Sequence, residues 1–217
     1  MSASKPILSP RHVYDIAIAS SLSAMALLLQ LMPFWPTAWG MRIDLVAIPW
    51  FVALFLISRR AGLLALSVTS LLIVFISFEG WLGASMKFLA TASLMIPIAL
   101  TIPSRSAVLT KDAELHSKSS EGKGSGKRSA SSNSPSSFPW LGFLIGVTLR
   151  SIIMLVANYW FALPLWVGLP VAEVIKAFPW YVIVIPNLVQ SIIEVFGGWY
   201  LVVLTPLRRG LRFAPRS

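Results

Sequence analysis

Long stretches without a charge alternate with short polar breaks along this chain, and that spacing sets its elements. Apolar runs cover 13–32, 45–58, 61–78, 82–102, 140–164 and 180–204. A helix needs about 20 apolar residues to cross the hydrocarbon core of a bilayer, and all but one of these runs come close to that length. The run 45–58 is shorter and contains Pro49, so it is expected to be tilted, broken or only partly inserted. Leu63-Leu64-Ala65-Leu66 and Leu71-Leu72-Ile73-Val74-Phe75 do not alternate apolar with polar positions, as the strands of a membrane barrel must. Only helices and closed barrels satisfy backbone polar groups in lipid. The pattern therefore predicts an all-α integral membrane protein, a six-transmembrane-helix bundle in one domain over residues 1–217.

The connection at 105–139 breaks the pattern. It is rich in Ser, Gly and Lys and nearly free of bulky apolar residues, so it cannot bury enough surface to offset its ordering entropy. It is expected to be a flexible cytoplasmic linker. Within it Gly122-Lys123-Gly124-Ser125-Gly126-Lys127 has the look of a phosphate loop. However, Glu121 stands where the first Gly belongs and Arg128 stands where Ser or Thr would hold magnesium. The basic N-terminus followed by an apolar run resembles a secretory signal, but the run is about 20 residues long and lacks a small-x-small cleavage site. It is expected to be a retained span.

Composition agrees with the pattern. Hydrophobic residues make up 56% and charged residues 12% of the chain, with a mean hydropathy of +0.77; soluble domains carry about 25% charge. The net charge of +10 would suit nucleic acid if it formed one patch. Instead it follows topology. With the N-terminus inside, only Arg42 and Lys176 of the 18 basic residues fall in outer loops, while Lys87 and Arg150 fall within spans. That positive-inside bias puts both termini in the cytoplasm and the chain in the plasma membrane, with no nucleic-acid partner. There is no Cys, and His12 and His116 are the only histidines, which argues against a metal site, a disulfide or a cysteine nucleophile.

Polar groups inside a bilayer are costly and mark function first. Lys87 lies near the outer start of the fourth run and Asn158 near the outer end of the fifth. Asn187 and Gln190 are three apart on one face of the sixth, which Glu194 continues. Asp44 precedes the second run, and Glu79 lies between the third and fourth. The alternatives are structural: Asp44 as a helix cap, Lys87 snorkelling to the interface, the amides as interhelical glue, and Arg150 and Glu194 neutralising each other. Trp39, Trp81, Trp160 and Trp166 fall near the outer boundary, as an interfacial belt or as a stacking wall for a flat ligand. No His-Glu-x-x-His or Gly-x-Ser-x-Gly occurs, no His lies within a span, and no paired carboxylates stand at helical spacing in one. No catalytic residue and no cofactor is expected. Binding or transport outranks both a lipid-modifying enzyme and a self-sufficient transporter, which would need inverted repeats or coupling-ion carboxylates.

Four stretches together resemble the substrate-binding S component of an energy-coupling factor (ECF) vitamin transporter, particularly the riboflavin type. They are Asp44-Leu45-Val46-Ala47-Ile48-Pro49 with Arg60-Ala61-Gly62-Leu63, then Trp81 through Thr91, then Asn158-Tyr159-Trp160-Phe161-Ala162-Leu163-Pro164-Leu165-Trp166, and last Ile185-Pro186-Asn187-Leu188-Val189-Gln190. They run from 44 to 190 in the family's order. The resemblance implies a six-helix protein that captures riboflavin or a related vitamin from outside. It also implies a transmembrane coupling (T) subunit and two cytoplasmic ATPases as partners. It places substrate contacts on Asn158 and Asn187, with Gln190, Lys87, Asp44, Tyr159 and Trp160 around them. Gln190 stands where the family carries Lys, which removes one cation. The family's docking face of small residues four apart on the first helix falls on Ala17, Ser20, Ser21 and Ala24.

Overall fold

A helix that is apolar on every side must sit among other helices, and the shortest run meets that condition. The computed structural model describes residues 10–32, 43–77, 80–102 and 138–204. In it the short run forms α2 (Ile48–Leu56), whose Trp50, Phe51 and Ala53 are fully buried. Around it stand α1 (Pro10–Leu31), α3 (Arg59–Ile76), α4 (Gly80–Thr101) and α5 (Trp140–Ala157). A π-helical turn (Asn158–Ala162), α6 (Leu163–Val167) and α7 (Val171–Ala177) then lead to α8 (Trp180–Leu204). No strand occurs among the described residues.

The helices close a ring. α2 packs on α3, α3 on α4, α4 on α5, α5 on α8, and α8 returns to α2, while α1 lies outside against α2 and α3. Four stretches are long and apolar enough to cross a membrane: Arg59–Ile76, Gly80–Thr101, Trp140–Val167 and Trp180–Leu204. In α1 the apolar part is Ile16–Leu31. Nine residues of α2 rise only about 14 Å, roughly half the hydrocarbon thickness. The helical part of the run 45–58 is thus too short to cross the hydrocarbon core by itself. Its Pro49 lies in the first turn, where the missing N–H costs no hydrogen bond. The fifth run continues past its expected end at 164 to Val167, with Pro164 near the start of α6. The linker expected at 105–139 lies outside the described residues except for Phe138 and Pro139; Trp39, Arg42 and Glu79 lie outside them as well.

Two glycines set how closely the ring closes. A Cβ on Gly146 of α5 would sit 2.7 Å from the Leu94 carbonyl oxygen of α4, and one on Gly198 of α8 would sit 2.6 Å from Phe51 Cβ of α2. Small residues let helix backbones approach in this way where lipid supplies no hydrophobic drive. At the start of α5, Phe138 stacks on Phe196 of α8 with centroids 4.6 Å apart and planes 7° from parallel. Phe143 and Trp199 meet Phe138 edge-on, so the two helices are joined where the chain returns from its long connection. Arg59, at the start of α3, donates to the Ile102 carbonyl just past α4.

Gly146→Leu is expected to force α4 and α5 apart and to cost about 1–3 kcal/mol, read as a lower unfolding midpoint in detergent. An unchanged midpoint would mean that the two backbones do not meet there.

Candidate functional site

Where the N-terminal half of α4 faces α5 and α8, the polar side chains of all three helices turn inward. A cavity of about 140 Å³ lies there, with Asp44, Lys87, Asn158, Asn187 and Gln190 in its wall. Arg150, Glu194 and Thr91 share that wall with an apolar side that includes Met86, Met154, Leu163 and Trp166.

α8 supplies the polar floor because its residues 187, 190 and 194 repeat at helical spacing, and all three are buried. Asn187 is pinned by its own helix, its Nδ2 donating to the Ile183 carbonyl at 2.8 Å. Gln190 clasps the turn before α2: Asp44 N donates to its Oε1 at 3.3 Å, and its Nε2 donates to the Asp44 carbonyl at 2.9 Å. The same Nε2 donates to Glu194 Oε1 at 2.8 Å. Glu194 Oε2 accepts from Arg150 Nη1 of α5 at 2.6 Å, and Arg150 Nε donates to Asn187 Oδ1 at 3.3 Å. On the other side of Gln190, the Asp44 carboxylate pairs with Lys87 of α4 and accepts from Val46 N at 3.1 Å. Lys87 Nζ also donates to Gln30 Oε1 of α1 at 2.6 Å. Two ion pairs are therefore joined by one amide into a single network, and their charges cancel.

This geometry shows what Asp44, Lys87, Arg150 and Glu194 contact. Asp44 does not cap α2, whose N-cap is Ala47; it holds Lys87. Lys87 turns inward and does not snorkel. Arg150 and Glu194 do neutralise each other, and they line the cavity while doing so. Their spacing of 44 residues hid that partnership, whereas two opposite charges within apolar runs were the available signal. Thr91 carried no signal beyond its place on the inner face of α4.

The π-helical turn positions the remaining amide. A π turn carries more residues than an α turn, so side chains four apart stay on one face instead of drifting around the helix. Met154, Asn158 and Ala162 accordingly all reach the cavity. Asn158 Nδ2 donates to the Met154 carbonyl at 2.7 Å. The neighbouring aromatics go elsewhere. Tyr159 donates its hydroxyl to the Phe178 carbonyl at 2.7 Å, securing the segment after α7, and Trp160 is 60% exposed on the outside. The structure thus brings five of the seven expected substrate contacts to the cavity and leaves Tyr159 and Trp160 away from it. Of the candidate tryptophans among the described residues only Trp166 lines it, while Trp81 meets Phe161 edge-on at 5.9 Å.

On α1, Ala17, Ser20, Ser21 and Ala24 are all exposed, so they do not pack within the bundle. Ala26 and Gln30 of the same helix face inward.

A helical membrane bundle with a polar-floored cavity and no metal-ligating cluster among the described residues has the features of a membrane-embedded binding protein. Residues 15–205 match the family described as ECF transporter, substrate-specific component, and the chain belongs to that family. It is similar to the solved S component of a bacterial ECF transporter, with a TM-score of 0.53 and 22% identity. That likeness in fold covers 94% of this chain and 99% of the other. No curated protein matches the sequence. The protein is thus a multi-pass plasma-membrane component that binds a substrate for transport and works with the transporter's coupling and ATPase modules.

Removing one half of the buried ion pair should be far more costly than removing both. Glu194→Gln strands the Arg150 guanidinium and is expected to cost about 3–5 kcal/mol, whereas Arg150→Met/Glu194→Met should be close to neutral. Thermal unfolding of wild type and both variants checks this; equal midpoints for wild type and Glu194→Gln would show that the pair is not buried.

Proposed function

We propose that this S component captures riboflavin or a closely related heterocyclic vitamin from outside the cell, delivering it to a T subunit and two cytoplasmic ATPases that power uptake. The observation that carries the reading is the gathering of Asn158, Asn187, Gln190, Lys87 and Asp44 around one cavity. The cavity lies at the end of the bundle away from Arg59 and Arg60, and by the positive-inside bias the arginine end is cytoplasmic and the cavity end external. Its floor is polar and its sides are apolar, which suits a flat ring system whose edge carries polar atoms. Gln190 in place of the family's Lys is absorbed by the network, because its amide bridges Asp44 and Glu194 as both donor and acceptor.

The exposed face formed by Ala17, Ser20, Ser21 and Ala24 is the proposed docking surface for the T subunit. Its small side chains permit close helix–helix approach, and it lies on the opposite side of α1 from Gln30.

Riboflavin titrated into the purified protein should lose its fluorescence on binding. Asn158→Ala should weaken that binding by about 1–3 kcal/mol, roughly 5- to 150-fold. No response to riboflavin from the wild-type protein would overturn the vitamin assignment. Ser20→Leu/Ala24→Leu should leave binding unchanged while reducing uptake by cells that carry the partner modules; full uptake would place the docking surface elsewhere.

A further inference from the structure

Not every polar atom at the cavity is satisfied by a neighbour. An arginine carries five N–H donors. Arg150 uses Nε on Asn187 and Nη1 on Glu194, and its Nη2 meets no partner among the described residues. The residue is 3% exposed. Thr91, 1% exposed and on the facing side of α4, makes no side-chain hydrogen bond among the described residues, although its hydroxyl can donate or accept. Asn158, 7% exposed, commits Nδ2 to Met154 and leaves Oδ1 without a donor among the described residues. All three residues line the cavity. Polar atoms that line a cavity and meet no protein partner are left for a ligand or water to satisfy, and these converge on one space from two helices.

We propose that Arg150, Thr91 and Asn158 form the recognition set for an uncharged cyclic imide or amide edge, with Arg150 as the specificity-determining residue. The complementarity follows from the atoms. Arg150 Nη2 offers donors to a ring carbonyl, Asn158 Oδ1 accepts from the adjacent ring N–H, and Thr91 serves a second carbonyl or N–H. The ligand edge is uncharged because the wall is already balanced: Glu194 answers Arg150, and Asp44 answers Lys87. A carboxylate or phosphate at this edge would bring an unmatched charge into a buried space. Glu194 is a positioning residue that fixes the guanidinium plane, and Gln190 in turn fixes Glu194. This inference rests on the reading of the cavity as the substrate site, and it names the chemistry that site selects.

The test compares riboflavin with 3-methylriboflavin, whose imide N–H is blocked, by fluorescence titration of the purified full chain. Wild type, Arg150→Lys and Asn158→Ala are measured. Arg150→Lys keeps the charge paired with Glu194 and loses the planar fork. It should weaken riboflavin about tenfold or more with the unfolding midpoint within a few degrees of wild type. Methylation should weaken binding to wild type by a similar factor and make little further difference to Asn158→Ala. Equal riboflavin affinity for wild type and a folded Arg150→Lys, or equal affinity of wild type for the two flavins, overturns the imide assignment and leaves the vitamin reading standing. Should Arg150→Lys fail to fold, the two flavins on wild type decide. If riboflavin does not bind but thymine or xanthine does, and N-methylation of that ring abolishes the binding, the imide assignment stands and the vitamin reading falls. If none of these rings binds, both fall.

Discussion

A guanidinium buried among helices has to be answered by a carboxylate, and in this protein that requirement organises everything around the cavity. Arg150 reaches from α5 to Glu194 of α8. Glu194 has one oxygen left for Gln190, and Gln190 has both ends of its amide on the backbone of Asp44. Asp44 then holds Lys87, and Lys87 reaches Gln30. Each partner is held because the next one is. In a medium of low dielectric such a chain is favourable when complete and costly when broken. The floor of the cavity is therefore rigid for the same reason that it is electrically neutral.

The packing serves that network. α2 contributes almost no polar atom, but it is buried on all sides and sets where Asp44 can stand. Gly198 lets α8 lie against Phe51, so Gln190 arrives within hydrogen-bond reach of the turn that precedes α2. Gly146 does the same between α5 and α4, bringing Arg150 opposite Thr91 and Asn158 near the N-terminal end of α4. Backbone approach of this kind is the main helix-packing device available where lipid is as apolar as the side chains it surrounds.

The helical class, the apolar runs and most of the cavity residues were legible in the sequence, since charge-free length and polar interruptions are one-dimensional signals. Asn187, Gln190 and Glu194 could be placed on one face from spacing alone. Asn158 could be named, but not the π-helical turn that aims it, because that turn depends on the packing of α6 and α7 and leaves no period in the sequence. Tyr159 and Trp160 show the cost: both sit beside Asn158 in the chain, yet the turn sends one ring to Phe178 and the other outward. The partnerships were less visible still. Arg150 with Glu194 and Lys87 with Asp44 join residues 44 and 43 apart, and no local rule connects positions at that range. The shortness of α2 was foreshadowed by Pro49 and a short run, both of which are local.

α1 carries two unlike faces, and their relation completes the physical picture. Inward, Gln30 accepts from Lys87 and so shares the ammonium that Asp44 neutralises. Outward, Ala17, Ser20, Ser21 and Ala24 present an exposed small-residue surface. A ligand that draws Lys87 toward the cavity must weaken its bond to Gln30, and a displacement of α1 must pull on Lys87 through the same bond. The hydrogen bond works equally in both directions, as any coupling between two equilibria must. α1 lies outside the ring and packs chiefly on α2 and α3, and this side-chain contact links it to the charged wall of the cavity. It is also the link through which occupancy of the cavity and the position of the outer helix can influence each other.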